Sequence, residues 1–165
     1  MITRDYCLTL SNYNIWQNQN LFPIVSSLKD EEWRKDQGAF FKSLQGTLNH
    51  LLYSDRVWLD RFYKQEVSLK DPKVILAESV EDWIDARKKL DWEIHNWVTG
   101  LSDEILAEDL SYYSHAYHKE LVKPMWLLVT HLFNHQTHHR SQATSLLCQM
   151  GLQYGVTDLP MLPML

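Results

Sequence analysis

Four stretches of this chain repeat their apolar residues at steps of three and four, and few glycines or prolines interrupt them. That period belongs to helices with one buried stripe, so it constrains the fold more than any other feature. In the first stretch, Asp5 to Leu28, the residues Tyr6, Leu10, Tyr13, Trp16 and Ile24 keep the helical step. Pro23 is expected to kink this helix or to open a short second turn, because an interior proline removes a backbone hydrogen bond. In the second, Ser43 stands as a cap before Leu44, Leu48, Leu51, Leu52, Trp58, Leu59 and Phe62, which predicts a helix to about Tyr63. Ser79, with Asp82 three residues on, resembles a capping box for a third helix over Val80–Val98, closed by Gly100. Pro124 suits the first position of a fourth helix, Met125 to Met150, with Gly151 as its stop.

Between Leu101 and Pro124 the helical period fades, and LSYYSHAYHKELV reads as a two-stranded excursion. The expectation is an all-α fold: a four-helix bundle with one long crossover connection between helices 3 and 4, filling a single domain, residues 1–165. A chain of 165 residues can bury enough apolar surface for one core.

Charge and motifs exclude several functions. The net charge is -5, from 16 basic and 21 acidic residues, without a basic cluster. A surface able to neutralise phosphates is therefore missing, and nucleic acid is not an expected partner. No stretch approaches the roughly 20 apolar residues that span a bilayer, and the first residues lack a signal-peptide pattern, so the expected location is cytoplasmic. Cys7 and Cys148 lie far apart with no CxxC, which points to free thiols in a reduced compartment. GxSxG, P-loop and GxGxxG motifs are absent, so serine-hydrolase and nucleotide-binding readings have no support.

Four of the eight histidines fall in HLFNHQTHH, on the fourth helix. With His135 at zero and about 100° per residue, His139 lies near +40°, His131 near -40° and His138 near -60°. The apolar residues Leu128, Leu132, Ala143, Leu146 and Met150 centre near +50° on the same ~100° step, so His135 and His139 are expected to face the core. An i,i+4 pair brings two imidazoles within reach of one ion. A metal would satisfy both rings at once, whereas an unpaired buried polar group costs a few kcal/mol. A third ligand must come from elsewhere, with His50, His95, His115 and His118 as candidates. Spacing does not favour His50, since the apolar arc of its helix centres about 130° away.

GTLNHLLYSDRVWLDRFY together with NHQTHHRSQ near the C-terminus resembles the DinB/YfiT-like superfamily of metalloenzymes, over nearly the whole chain. The resemblance implies a metal site built from one histidine of the second helix and an HxxxH pair of the last, which here are His50, His135 and His139. Ser141 stands where the family motif usually has glycine. Family members include thiol-dependent S-transferases and a mycothiol-dependent isomerase, so the resemblance also implies a low-molecular-weight thiol as a possible co-substrate.

The function expected on these grounds is that of a divalent-metal-dependent enzyme, a hydrolase or thiol S-transferase acting on a small molecule. Its Zn²⁺ or Ni²⁺ would be held by three imidazoles with an open position for water or thiolate. The alternative is a module in which the metal is structural. Tyr112, Tyr113 and Tyr117, with His115 and His118, are either packing or the lining of a pocket over the metal. Arg140 either holds an anionic substrate group or is a solvated charge, with the second reading preferred; Asp55 and Asp60 read as surface charges, although Asp55 lies within the apolar arc and is a candidate to orient another group. Leu52 and Leu59, on the far side of their helix, are expected to serve a homodimer contact.

Overall fold

Side-chain caps fix where three of the four long helices begin. In the computed structural model, which describes residues 2–67 and 69–163, Thr3 Oγ1 accepts from the Tyr6 N–H at the head of α1 (Arg4–Ser26). A single turn, α2 (Asp30–Arg34), precedes α3 (Leu44–Phe62), whose cap Ser43 accepts from the Gly46 N–H at 3.0 Å. Ser79 and Asp82 close a reciprocal capping box at the head of α4 (Val80–Thr99). Met1, Ser68, Met164 and Leu165 of the expected 1–165 domain lie outside the described residues.

The crossover holds a short helix, α5 (Asp103–Ala107), and an antiparallel hairpin of β1 (Asp109–Ser114) and β2 (Lys119–Pro124). The pairing runs from Asp109 opposite Pro124 to Ser114 opposite Lys119, and His118 adopts a φ of 51° in the turn. The last helix, α6 (Met125–Gln149), ends in a Schellman arrangement: Gly151 has a φ of 81° and the Leu152 N–H reaches the Leu147 carbonyl. A 3₁₀ turn, Leu159–Met161, follows in the tail, which Tyr13 and Gln17 of α1 bind through the carbonyls of Thr157 and Val156.

The long helices α1, α3, α4 and α6 form the expected bundle: α1 packs against α4 and α6, and α3 packs against the same two. The helix of α1 continues through Pro23 to Ser26, where buried Leu21 and Val25 anchor its last turns, so no separate turn opens at the proline. Two local expectations need correction. Pro124 stands at the N-cap position of α6, without a side-chain capping hydrogen bond, and ends β2, rather than occupying the first helical position. Leu52 and Leu59 are 2% and 0% exposed inside the chain's own core, so they present no surface to a second copy. Among the described residues, no helix is long and apolar enough to cross a membrane.

The bundle also contains a buried polar layer. Asp55 of α3, fully buried, accepts from Arg87 of α4 at 2.6 Å and from Gln136 of α6 at 3.0 Å. Arg87 also meets Asp91 at 2.9 Å, and Asp91 accepts from Asn14 and Asn18 of α1. Arg140 of α6 donates to Asn14 at 2.6 Å. Arg87 is thus ion-paired with both aspartates, Arg140 joins the layer through Asn14, and together these residues touch all four long helices. Arg140 is 5% exposed and Asp55 0%, so neither is the surface charge expected from sequence. Asp60, 7% exposed, is paired with Arg56 at 3.0 Å.

Candidate metal centre

α3 and α6 lie side by side, and their seam carries three imidazoles. His50, His135 and His139 each offer a ring nitrogen within 4.8 Å of the others. Ring centroids are 4.5 Å apart for His50 and His139, 4.3 Å for His135 and His139, and 5.3 Å for His50 and His135. The other third-ligand candidates lie elsewhere: His95 meets Ser11 on α1, while His115 and His118 sit in the hairpin turn.

The helical wheel of α6 explains both what was anticipated and what was not. Its buried residues include Gln136 and Arg140 as well as Leu132, Ala143 and Leu147, which moves the centre of the buried arc to near +100° from His135 at about 100° per residue. His135 and His139 are half-buried at the edge of the core rather than at its centre. His131 and His138 stand further round and are exposed. On α3, the angular neighbours of His50 are Thr47, Ser54 and Val57, all buried. An apolar wheel misses this, because two of those three are polar.

Hydrogen bonds to fixed acceptors commit Nδ1 of His50 and of His139, and the one protein group that meets His50 Nε2 is the Ser54 hydroxyl. His50 Nδ1 lies 3.0 Å from the Pro72 carbonyl, which can only accept, so Nδ1 carries the proton and Nε2 keeps its lone pair. His139 Nδ1 donates in the same way to Gln142 Oε1 at 2.7 Å. Gln142 in turn donates to His138 at 3.3 Å, which fixes its own amide. His135 Nδ1 is a buried polar atom with no partner.

Electrostatics favour the neutral rings. Burial pushes His135 down to about 3, and the neighbouring imidazoles of His139, His50 and His131 act in the same direction. Burial pushes His139 down to about 4 against the opposing hydrogen bond to Gln142. His50 is lowered by burial, with its Pro72 hydrogen bond resisting. Neutral imidazole is the form that ligates a metal, so the site is poised to hold a cation without first releasing protons at neutral pH. The orphaned His135 nitrogen and the two fixed tautomers make this donor set fit a divalent ion.

Several supporting residues carry no motif of their own. Asn49, fully buried beside His50, accepts from the Leu76 and Ala77 N–H groups and donates to the Ala77 carbonyl. It clamps the segment that supplies Pro72. Phe41 stacks on His50 at 4.0 Å and meets His139 edge-on at 5.6 Å, covering one side of the cluster. Gly46 allows this, since a Cβ there would lie 2.1 Å from the Phe41 carbonyl oxygen. The signal for Gly46 was present in the string GTLNH, but nothing in the sequence says which backbone approaches it.

Ser54 Oγ lies 3.3 Å from His50 Nε2 and lines a cavity of about 700 Å³. Pro72 and His131 share that wall, and Tyr112, His115 and Tyr117 come from the hairpin. Tyr113 lines a neighbouring depression instead, and His118 is exposed in the turn. The aromatic crossover is therefore partly a pocket wall and partly surface.

The family model described as the DinB family matches residues 1–164. The chain is similar to Protein DinB of Bacillus subtilis (strain 168), at 26% identity over 169 residues, covering 93% of this chain and 91% of that protein. Its fold is similar to the crystal structure of a DinB-like protein from Bacillus cereus, with a TM-score of 0.65 and 18% identity, covering 86% of this chain and 91% of the other.

Proposed function

The chain belongs to the DinB family, and from that premise we propose that it is a divalent-metal-dependent enzyme whose ligands are His50, His135 and His139. The observation that carries this reading is a group of three protein donors, with no fourth among the described residues, set beside a cavity. Sites with three protein ligands keep a position for chemistry, whereas structural sites close with four. Zn²⁺ or Ni²⁺ suits three imidazoles. When bound, the ion supplies Lewis acidity that lowers the pKa of a water or low-molecular-weight thiol meeting it.

The chain's own residues do the positioning. Pro72 and Gln142 hold His50 and His139 in the tautomer that presents Nε2, and Phe41 limits water on one side of the cluster. Ser54, 3.3 Å from His50 Nε2, can hydrogen-bond a group that arrives from the cavity. The substrate is a small organic molecule, which fits a cavity of about 700 Å³.

Cobalt substitution tests the open position. Adding 2-mercaptoethanol to Co²⁺-loaded protein is expected to give a thiolate-to-cobalt absorption band in the near ultraviolet. A cobalt spectrum indifferent to thiol, azide and pH would instead assign the ion to a closed structural site.

A further inference from the structure

The cavity beside the metal centre has an unusual charge for this protein. The chain as a whole carries -5, yet the cavity is lined by Arg61, Lys70 and Lys123 and by no aspartate or glutamate. Arg61 is the one set deepest. Its Cζ lies 4.6 Å from the centre of the Trp58 ring and 4.7 Å from that of Tyr112. Its Nε is buried without a hydrogen-bond partner, and among the described residues no carboxylate pairs with its guanidinium. Every other deeply placed arginine described here, Arg56, Arg87 and Arg140, has a carboxylate or amide oxygen within hydrogen-bond reach.

Stacked rings hold a guanidinium by its charge, but a ring face offers no lone pair for its N–H groups. The donors of Arg61 therefore remain available to something in the cavity. A planar fork of donors matches a carboxylate, which it can bind through two parallel hydrogen bonds. Lys70 and Lys123, both exposed, add positive charge around the same space. Arg61 lies eleven positions beyond His50 on α3, about 16 Å of helix at about 1.5 Å per residue; Arg61 lines the cavity itself, and Ser54, 3.3 Å from His50 Nε2, lines it nearer the histidines.

We propose that Arg61, supported by Lys70 and Lys123, forms a subsite for the carboxylate of a small organic substrate whose other end reaches the three-histidine centre. The assignment rests on the metal-enzyme reading for what happens at that other end, but the subsite itself does not need the ion. Trp58, Tyr112 and Leu128 would flank the apolar body of such a molecule.

The test uses two probes of one shape, 3-phenylpropionate and the neutral 3-phenylpropanamide, titrated into the full-length chain by calorimetry with a chelator present. The chelator keeps any metal from taking the carboxylate. The carboxylate is expected to bind at least tenfold more tightly than the amide, and R61Q is expected to abolish that preference. The double variant K70Q/K123Q, altered only at exposed positions, should lower carboxylate affinity severalfold while keeping the fold. His135→Ala should leave the preference intact, so a failure of metal binding and a failure of the subsite give different results. Equal affinity of the two probes for the parent protein overturns the subsite. A preference that survives in R61Q protein with parental circular dichroism, or carboxylate affinity unchanged in K70Q/K123Q, overturns the assignment to these residues.

Discussion

His50 and His139 each spend one nitrogen on a fixed acceptor, and His135 is left with a buried nitrogen that nothing meets. That asymmetry decides what single substitutions should do. His50→Ala, His135→Ala and His139→Ala each remove one of three donors and are expected to abolish stoichiometric metal binding, read by metal analysis after dialysis. His131→Ala and His138→Ala should keep the ion, because both side chains are exposed beyond the edge of the seam. Gln142→Leu removes the acceptor that orients His139, and a loss of about 10- to 100-fold in metal affinity is expected from competition with a chelator. The pH dependence follows from the lowered pKa values. Between about 6.5 and about 4 the unfolded chain binds protons at these histidines that the folded, metal-free chain refuses. Stability from these groups is therefore full above 6.5 and falls as the pH drops through that window. Thermal melts of metal-free protein across about pH 4–7 should show this slope, and His135→Ala should flatten it.

At the scale of elements, the long helices were legible because their caps and apolar periods agree: Ser43 and Ser79 stand where the structure begins α3 and α4, and Gly151 where it ends α6. The hairpin was legible as a loss of helical period over residues 101–124. What the sequence hid was contact between elements. The lean of α6 could not be read from its leucines alone, because buried Gln136 and Arg140 turn its inner face toward the polar layer. His50 was accessible only through family resemblance, since its neighbours in the seam are Thr47 and Ser54 rather than apolar residues. Gly46 shows the same limit. In an isolated helix, alanine would be favoured over glycine by about 1 kcal/mol. Here its Cβ would meet the Phe41 carbonyl oxygen at 2.1 Å, and a backbone atom cannot rotate away. Gly46→Ala is therefore expected to destabilise the protein by about 1–3 kcal/mol in urea melts and to weaken metal binding by displacing Phe41 from His50. Unchanged stability and affinity would mean that the segment over His50 yields freely.

Across the whole molecule, the buried Asp55–Arg87–Asp91 layer joins all four long helices directly beneath the metal seam, with Gln136 adjacent in sequence to His135 and Arg140 to His139. Asp55→Ala leaves Arg87 and Gln136 without their shared acceptor, and losing one partner of a buried charge network costs about 3–5 kcal/mol. For a chain of this size that lowers Tm by roughly 6–20 °C at about 2–4 °C per kcal/mol. The charges are hard to anticipate from sequence because each looks like an ordinary polar position until its partners on three other helices are known. The bundle and its polar layer bring three imidazoles from two helices together, and on the function proposed above these hold a divalent ion with room for a reacting group. The direct test is a Zn²⁺ titration by calorimetry of chelator-stripped, untagged protein at neutral pH. One ion per chain, bound tightly and lost in His135→Ala, is the predicted result; no saturable binding, or binding that His135→Ala leaves unchanged, would contradict it.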